Sequence, residues 1–193
     1  MKTPFLLFAA LPLAGCISFA AKPPASLLTL DTQASVPVGQ AQNSATAKAI
    51  TIQVPAVPQS LATARIPVQA TPTSIAYVKN ALWAEPPARL FARLLSDTMT
   101  ARTGRVVLSS AQSSVDPGAR LSGELRTFGL DAGQNQAVVI FDASLIRMNA
   151  TTVEKQRFEA HVPVTAIDGP NAATGISAAA NQVAQQVADW VGR

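Results

Sequence analysis

The sequence predicts an α+β fold, or the related open α/β arrangement: a single mixed, largely antiparallel sheet with two helices packed on one face. Three observations carry this. One segment, Leu90 to Met99, has a single apolar stripe at helical spacing. Three consecutive segments between Ala119 and Val164 are extended, alternate in polarity and are separated by turn residues. A final alanine-rich segment has a second helical stripe. Two one-sided helices beside half-buried strands must share one core.

The first fifteen residues read as a signal rather than as part of the fold. Lys2 precedes a mostly apolar stretch, Phe5 to Ala14, interrupted by Pro12. That is too short for a bilayer, which takes about 20 residues, and suits a secretory h-region. It ends in Leu13-Ala14-Gly15-Cys16 and resembles a bacterial lipobox, with cleavage between Gly15 and Cys16. The resemblance implies diacylglycerol on the Cys16 thiol and an N-acyl group on the new amine. Each buried methylene adds about 0.8 kcal/mol, so several chains anchor stably where one does not. Residue 17 is Ile rather than Asp, which by analogy with enterobacterial sorting points to the outer membrane. The division expected is a signal peptide over 1–15, a lipidated tether over 16–25 and a domain over 26–193.

The domain elements follow in order. Leu27 to Leu30 is a short apolar run expected to be a strand. Residues 32–48 are polar, small and free of aromatics, and read as a long loop. Ala49 to Val54 is β-branched and predicts a strand. Prolines at 55, 58, 67 and 72 divide the next stretch into short pieces. Arg65 to Gln69 is expected at a sheet edge, because Pro67 cannot donate to a central ladder. Ser74 to Val78 is a further strand. Pro86 and Pro87 suit the start of the first helix, and Gly104 its end. Arg105 to Ser109 is extended, and Asp116-Pro117-Gly118 is a turn signal. Ala119 to Leu130, Ala137 to Met148 and Val153 to Val164 form an antiparallel meander. Ala137, Val139, Phe141, Ala143 and Leu145 share one face of its middle strand. Asp168-Gly169-Pro170 ends the sheet. Asn171 or Thr174 is expected to cap the last helix, whose stripe is Ile176, Val183, Val187 and Trp190 or Val191.

Composition narrows the chemistry. The chain has 193 residues, 13% of them charged, with one Cys and one His. One cysteine excludes an internal disulfide framework, and with one histidine it leaves little for a metal site or a Ser-His triad. The formal net charge is +4, Lys2 included, and the basic residues are spread along the chain without a nucleic-acid-binding run. No P-loop, G-x-G-x-x-G or G-x-S-x-G occurs. His161 falls on the polar face of a strand together with Arg157 and Glu159. Glu124, Asp131, Asp142, Glu154 and Glu159 do not pair as an acid and a base. Ser122 and Ser144 have no evident activating base. No catalytic residue and no metal ligand is expected.

The order of motifs is similar to that of the ABC-type transport auxiliary lipoproteins, the family that includes the lipoprotein of the paraquat-inducible operon. The residues that carry the likeness begin with the lipobox and Leu27 to Leu30. They continue through Ile50 to Leu61 and Arg65-Ile66-Pro67-Val68. The most specific part is Ile75-Ala76-Tyr77, then Trp83-Ala84-Glu85-Pro86-Pro87 running into a Leu-rich helix. Two positions depart from the family pattern. Ser26 stands before the leucines where tyrosines are usual, and Leu82 stands where an arginine often precedes the tryptophan, with Lys79 the nearest base.

The resemblance implies an accessory subunit of an MCE-type system. Its partners would be an MCE-domain protein, an ABC permease and an ATPase, and its cargo lipid or another apolar molecule. A homo-oligomer is left open. Tyr77, Trp83 and Glu85 are candidates for a docking surface; for Trp83 the alternative is a staple between loop and helix, and Trp190 reads as packing the last helix onto the sheet. The runner-up is a stand-alone periplasmic lipid carrier with an apolar pocket between sheet and helices. A hydrolase has no nameable nucleophile and base.

Overall fold

The computed structural model describes residues 26–34, 39, 42–45, 47–109, 112 and 118–193. Gly15, Cys16, the signal and tether assignments, and Asp116 and Pro117 of the predicted turn lie outside the described residues. Seven strands and two helices follow in the order β1 (Ala49–Ile52), β2 (Arg65–Thr71), β3 (Ser74–Leu82), α1 (Pro87–Thr103), β4 (Val106–Leu108), β5 (Ala119–Asp131), β6 (Gln136–Ile146), β7 (Glu154–Pro163) and α2 (Gly169–Gly192). The sheet is mixed and both helices lie on its apolar face, so the fold is α+β.

β5 is the longest strand and the centre of the sheet. Along one edge it pairs antiparallel with β6, which pairs antiparallel with β7, as the alternating pattern predicts. Its other edge is shared. The first half of β5 takes β1 in parallel, Ile50 opposite Ala119. The second half takes β2 in parallel, Val68 opposite Leu130. β4 extends the sheet beyond β1, and β3 extends it beyond β2. Between β1 and β2 the chain stays close to β5 for a few residues. Ala56 N–H donates to the Gly123 carbonyl and Leu125 N–H to the Ala56 carbonyl, each at 2.9 Å. Pro58 follows where the pairing ends, and a short 3-10 turn at Gln59–Leu61 tucks Leu61 into the core.

A bulge in β5 lets one strand serve both partners. Leu125 faces Phe141 and Thr127 faces Ile140, leaving Arg126 as the extra residue. It changes which side chains point inward: Leu121 and Leu125 before it, Phe128 and Leu130 after it. Glycine is needed on both sides of this point. A Cβ at Gly123 would strike the Asp142 carbonyl and lie 2.7 Å from the Phe141 ring; one at Gly129 would strike the Pro67 carbonyl.

Pro67 does not mark a sheet edge. β2 lies between β3 and β5. The proline is tolerated because β5 pairs only with Val68 and Gln69 beyond it. On the β3 side the register breaks between Arg65 and Pro67. Arg65 faces Leu82 and Pro67 faces Tyr77, so β3 bulges out over Val78–Ala81, with Asn80 at φ 53°. The Leu27 to Leu30 run is not a full strand. Leu28 alone inserts beside Trp83, its N–H donating to the Leu82 carbonyl and its carbonyl accepting from Ala84 N–H, both at 2.8 Å.

Both helices have the predicted stripes. Leu90, Phe91, Leu94, Leu95 and Met99 of α1 are at most 5% exposed, and Gly104 ends the helix at φ 65°. In α2, Ile176, Val183, Val187 and Val191 are fully buried; Val191, rather than Trp190, ends the stripe. Its cap is Asp168, not Asn171 or Thr174. Extended backbone at Asp168 puts its carboxylate where it accepts from Asn171 N–H at 2.9 Å, and Pro170 follows where no donor is needed. The helices run parallel. Arg102 near the end of α1 pairs with Asp189 near the end of α2, while a Cβ at Gly169 would meet Ala81, just before α1.

Gly123→Ala is expected to cost about 1–3 kcal/mol, because the clash is with backbone and an interior ring. Urea unfolding of the variant against the parent protein checks this; equal midpoints and slopes would contradict the packing.

Candidate functional site

Of the motif, Trp83 to Pro87 form the corner where β3 ends and α1 begins; Ile75, Ala76 and Tyr77 lie in the first half of β3, beyond the bulge over Val78–Ala81. The motif's residues do not share one surface. Trp83 is 1% exposed. Its ring lies 5.6 Å from Phe128, which leads through Phe91 to Phe141 in a file of tilted and edge-on aromatic contacts. Its backbone N–H donates to the Ala64 carbonyl at 2.8 Å. Trp83 Nε1 has no hydrogen-bond partner among the described residues. The indole therefore packs the interior. Tyr77 and Glu85 stand outside. The Arg65 guanidinium lies 3.8 Å from the centre of the Tyr77 ring. Glu85 pairs with Arg93 at 2.7 Å on the surface, an interaction worth at most about 1 kcal/mol.

The same corner receives the incoming N-terminal segment. After Leu28 the chain crosses α2 and is held by two polar side chains in the otherwise apolar helix face, Ser177 and Asn181, 8% and 2% exposed. Asp31 N–H donates to Ser177 Oγ at 3.2 Å. Asn181 acts as a stand-in peptide: its Oδ1 accepts from Gln33 N–H at 3.1 Å, and its Nδ2 donates to the Asp31 carbonyl at 2.7 Å. Nδ2 also donates to the Ser177 carbonyl at 2.8 Å. A buried amide with both ends satisfied fixes one register for the strap. The sequence signal for this site is a polar Asn beside an apolar stripe.

The opposite sheet face, away from the helices, is polar. Asp142 sits between Arg157, at 2.6 and 2.8 Å, and Arg126, at 3.4 Å; Arg126 also lies 3.8 Å from Glu124. The Arg157 hydrogen bonds, aided by the charges of both arginines, lower the Asp142 pKa. Ser122, Ser144 and Lys155 flank this network, and a shallow depression of about 560 Å³ runs over it. His161 is exposed on the same face, opposite Val138. Among the described residues no three His, Cys, Asp or Glu side chains gather as a metal site would require, and no helix is long and apolar enough to cross a membrane.

A family model described as "ABC-type transport auxiliary lipoprotein component" matches residues 28–188, from the bridging Leu28 to the last turns of α2. The chain belongs to this family. The match includes the strap, the Tyr77–Pro87 segment and the whole meander. Solved structures share the fold. A protein of family DUF330 from Xanthomonas campestris is 19% identical, with 86% of this chain and 94% of that chain covered and a TM-score of 0.69. A second structure, titled as an uncharacterized protein, is 14% identical, with 75% and 92% covered and a TM-score of 0.65. No curated protein matches the chain. A transport auxiliary role suggests a non-enzymatic protein of the cell envelope that associates with an ABC transport system.

Two outcomes test these contacts. Asn181→Ala leaves the Asp31 carbonyl and Gln33 N–H without their partner and is expected to cost about 1–3 kcal/mol. Amide exchange should then speed up selectively at residues 28–33; unchanged exchange there would mean the strap is held otherwise. Asp142 titrates lower folded than unfolded, so its stabilisation is complete above the ordinary carboxyl pKa of about 3.9 and fades as pH falls through the folded value. Asp142→Asn should lower stability at pH 7 and narrow the gap to the parent protein below pH 4, read from paired denaturation curves.

Proposed function

We propose that the chain is the outer-membrane-anchored, periplasm-facing lipoprotein subunit of an MCE-type ABC transport system that moves lipids or other apolar molecules across the envelope. It acts by docking rather than by catalysis. The family match over residues 28–188, downstream of the lipobox at Cys16, carries this reading. In it, residues 1–15 are removed, Cys16 carries the diacylglycerol and N-acyl lipid, and 16–25 tether the domain. The partners are the MCE-domain protein, the permease and the ATPase; energy comes from the ATPase.

The geometry supports a tethered docking module. Nine residues separate Cys16 from Ser26, ten backbone steps with a reach of at most about 36 Å. The chain then meets the β3–α1 corner at Leu28, before the strap crosses α2, so in this reading the anchor is tied to the end of the molecule where both helices start. Exposed Ile75 and half-exposed Tyr77 on β3, with Glu85 on that corner, are the proposed partner contacts, and Trp83 packs the interior at the end of β3. The carrier alternative needs an apolar cavity between sheet and helices. Phe91, Phe128, Phe141, Ile176 and Val183 fill that space, each at most 1% exposed.

Crosslinking in intact cells that express the whole transport system, followed by affinity purification, is expected to recover the MCE-domain protein or the permease. Recovery of neither would sink the docking role. Cys16→Ala is expected to abolish fatty-acid labelling and membrane retention while leaving the unfolding curve of the domain unchanged. Undiminished label on the variant would remove the anchor.

A further inference from the structure

Basic residues that are far apart in sequence meet at the end of the molecule where both helices finish. Lys48 precedes β1, Arg105 precedes β4 and Arg147 follows β6. Arg105 Nη2 and Arg147 Nη1 donate to the same oxygen, the Val191 carbonyl, at 3.2 and 3.3 Å. Arg147 Nη2 also reaches the Trp190 carbonyl at 3.5 Å. Part of the cluster is thereby explained: the last turn of a helix has orphan carbonyls and a negative dipole end.

The remainder is not. Arg147 is matched by Glu154, at 2.7 and 3.2 Å, and Arg102 nearby by Asp189. Neither Arg105 nor Lys48 has a carboxylate within ion-pair distance among the described residues. Burial, and then the charge of Arg147, pull the Arg105 pKa down, as expected for a cation pressed beside another cation. Against three cations stand Glu154 and a helix end worth roughly half a charge, so a positive excess of about one and a half charges remains. A cleft of about 210 Å³ opens between the three basic side chains, floored by Ala49 and Leu145 and edged by Met148. A larger hollow of about 500 Å³ adjoins it and shares Lys48 and Arg105.

We propose that this cleft binds the phosphate ester group of an anionic phospholipid. The Arg105 guanidinium, with only one nitrogen engaged, and the Lys48 ammonium approach from two elements with the Arg147 charge behind them, and suit a tetrahedral oxyanion better than a planar one. The turn after Arg147 carries two of the few large apolar side chains that the described surface exposes, Met148 at 52% and Val153 at 53%. Met148 lines the cleft itself, beside the path of an acyl chain leaving a phosphate seated on Arg105. The site needs neither the anchor nor a partner subunit, so its fate is separate from that of the docking reading.

Calorimetry on the full chain in a neutral detergent tests it, with dihexanoyl phosphatidylglycerol, inorganic phosphate and acetate as probes. The phosphatidylglycerol should bind saturably at one per chain and more weakly as salt rises. Lys48→Glu and Arg105→Gln should each lower the affinity about tenfold, whereas Lys79→Glu, on β3 at the other end, should leave it unchanged. Lys48 is exposed, so its variant keeps the test valid if Arg105→Gln fails to fold. Inorganic phosphate binding as tightly as the lipid would overturn the lipid and keep the phosphate. Acetate binding as tightly would overturn the phosphate in favour of a carboxylate from an acidic protein. No saturable binding, or an unaffected Lys48→Glu variant, would overturn the site.

Discussion

The structure depends on one strand edge being used twice. β5 is 13 residues long, and neither β1, with four residues, nor β2, with seven, covers its free side. The chain lays them end to end, both parallel to β5, with the proline-marked segment between them. The connection from β1 to β2 runs forward along β5, whereas the chain must return over the sheet before β4 can pair in parallel with β1, and α1 supplies that return. The bulge at Arg126 re-aims the inward side chains at the changeover, so that one continuous core forms under both halves. Gly123 and Gly129 allow the close approaches on either side of it. A strand without that bulge would turn Phe128 and Leu130 outward.

The same arrangement gives the molecule two unlike ends. Parallel helices start together at the β3–α1 corner and finish together beside the starts of β1, β4 and β5. At the first end the strap enters, fixed by Leu28 on the sheet and by Asn181 on α2. At the second end arginines gather over the helix termini. The interior between them is buried and aromatic, from Trp83 through Phe128 and Phe91 to Phe141. Each such side chain contributes about 1.5–3 kcal/mol by burial, far more than the surface ion pairs that decorate the outer face.

What the sequence displays is periodicity, and what it hides is convergence. The meander, both helices and the Gly104 stop were legible because each rests on spacing within one segment. The changeover in β5 was also written there: apolar residues at 119, 121 and 125 shift parity to 128 and 130. Pro67 misled because the rule that confines proline to edges assumes a ladder on both sides, and here each ladder is broken beside it. The Asp168 cap was misplaced, to Asn171 or Thr174, because Asp-Gly-Pro reads equally as a turn. Among the site residues, Tyr77, Trp83 and Glu85 are adjacent in the chain and were singled out together. Their separation into outside and inside depends on a β3 bulge that no local pattern marks.

The basic end shows most clearly why spread charges in a sequence need not be spread in space. Lys48, Arg105 and Arg147 are separated by 40 residues or more, and each lies at the start or end of a strand. A mixed sheet brings such ends together at one rim, and two parallel helices add their negative termini to the same rim. Some positive charge must collect there to satisfy the carbonyls of α2. Arg147 and Arg102, each with its own carboxylate, are accounted for on that basis. Arg105 and Lys48 exceed what the helix end requires, and unpaired charge held close to like charge is a cost that folding alone does not repay. With α2 about 36 Å long, that excess stands well away from the corner where the strap enters, so an anion bound there would not compete with partners held at the anchored end.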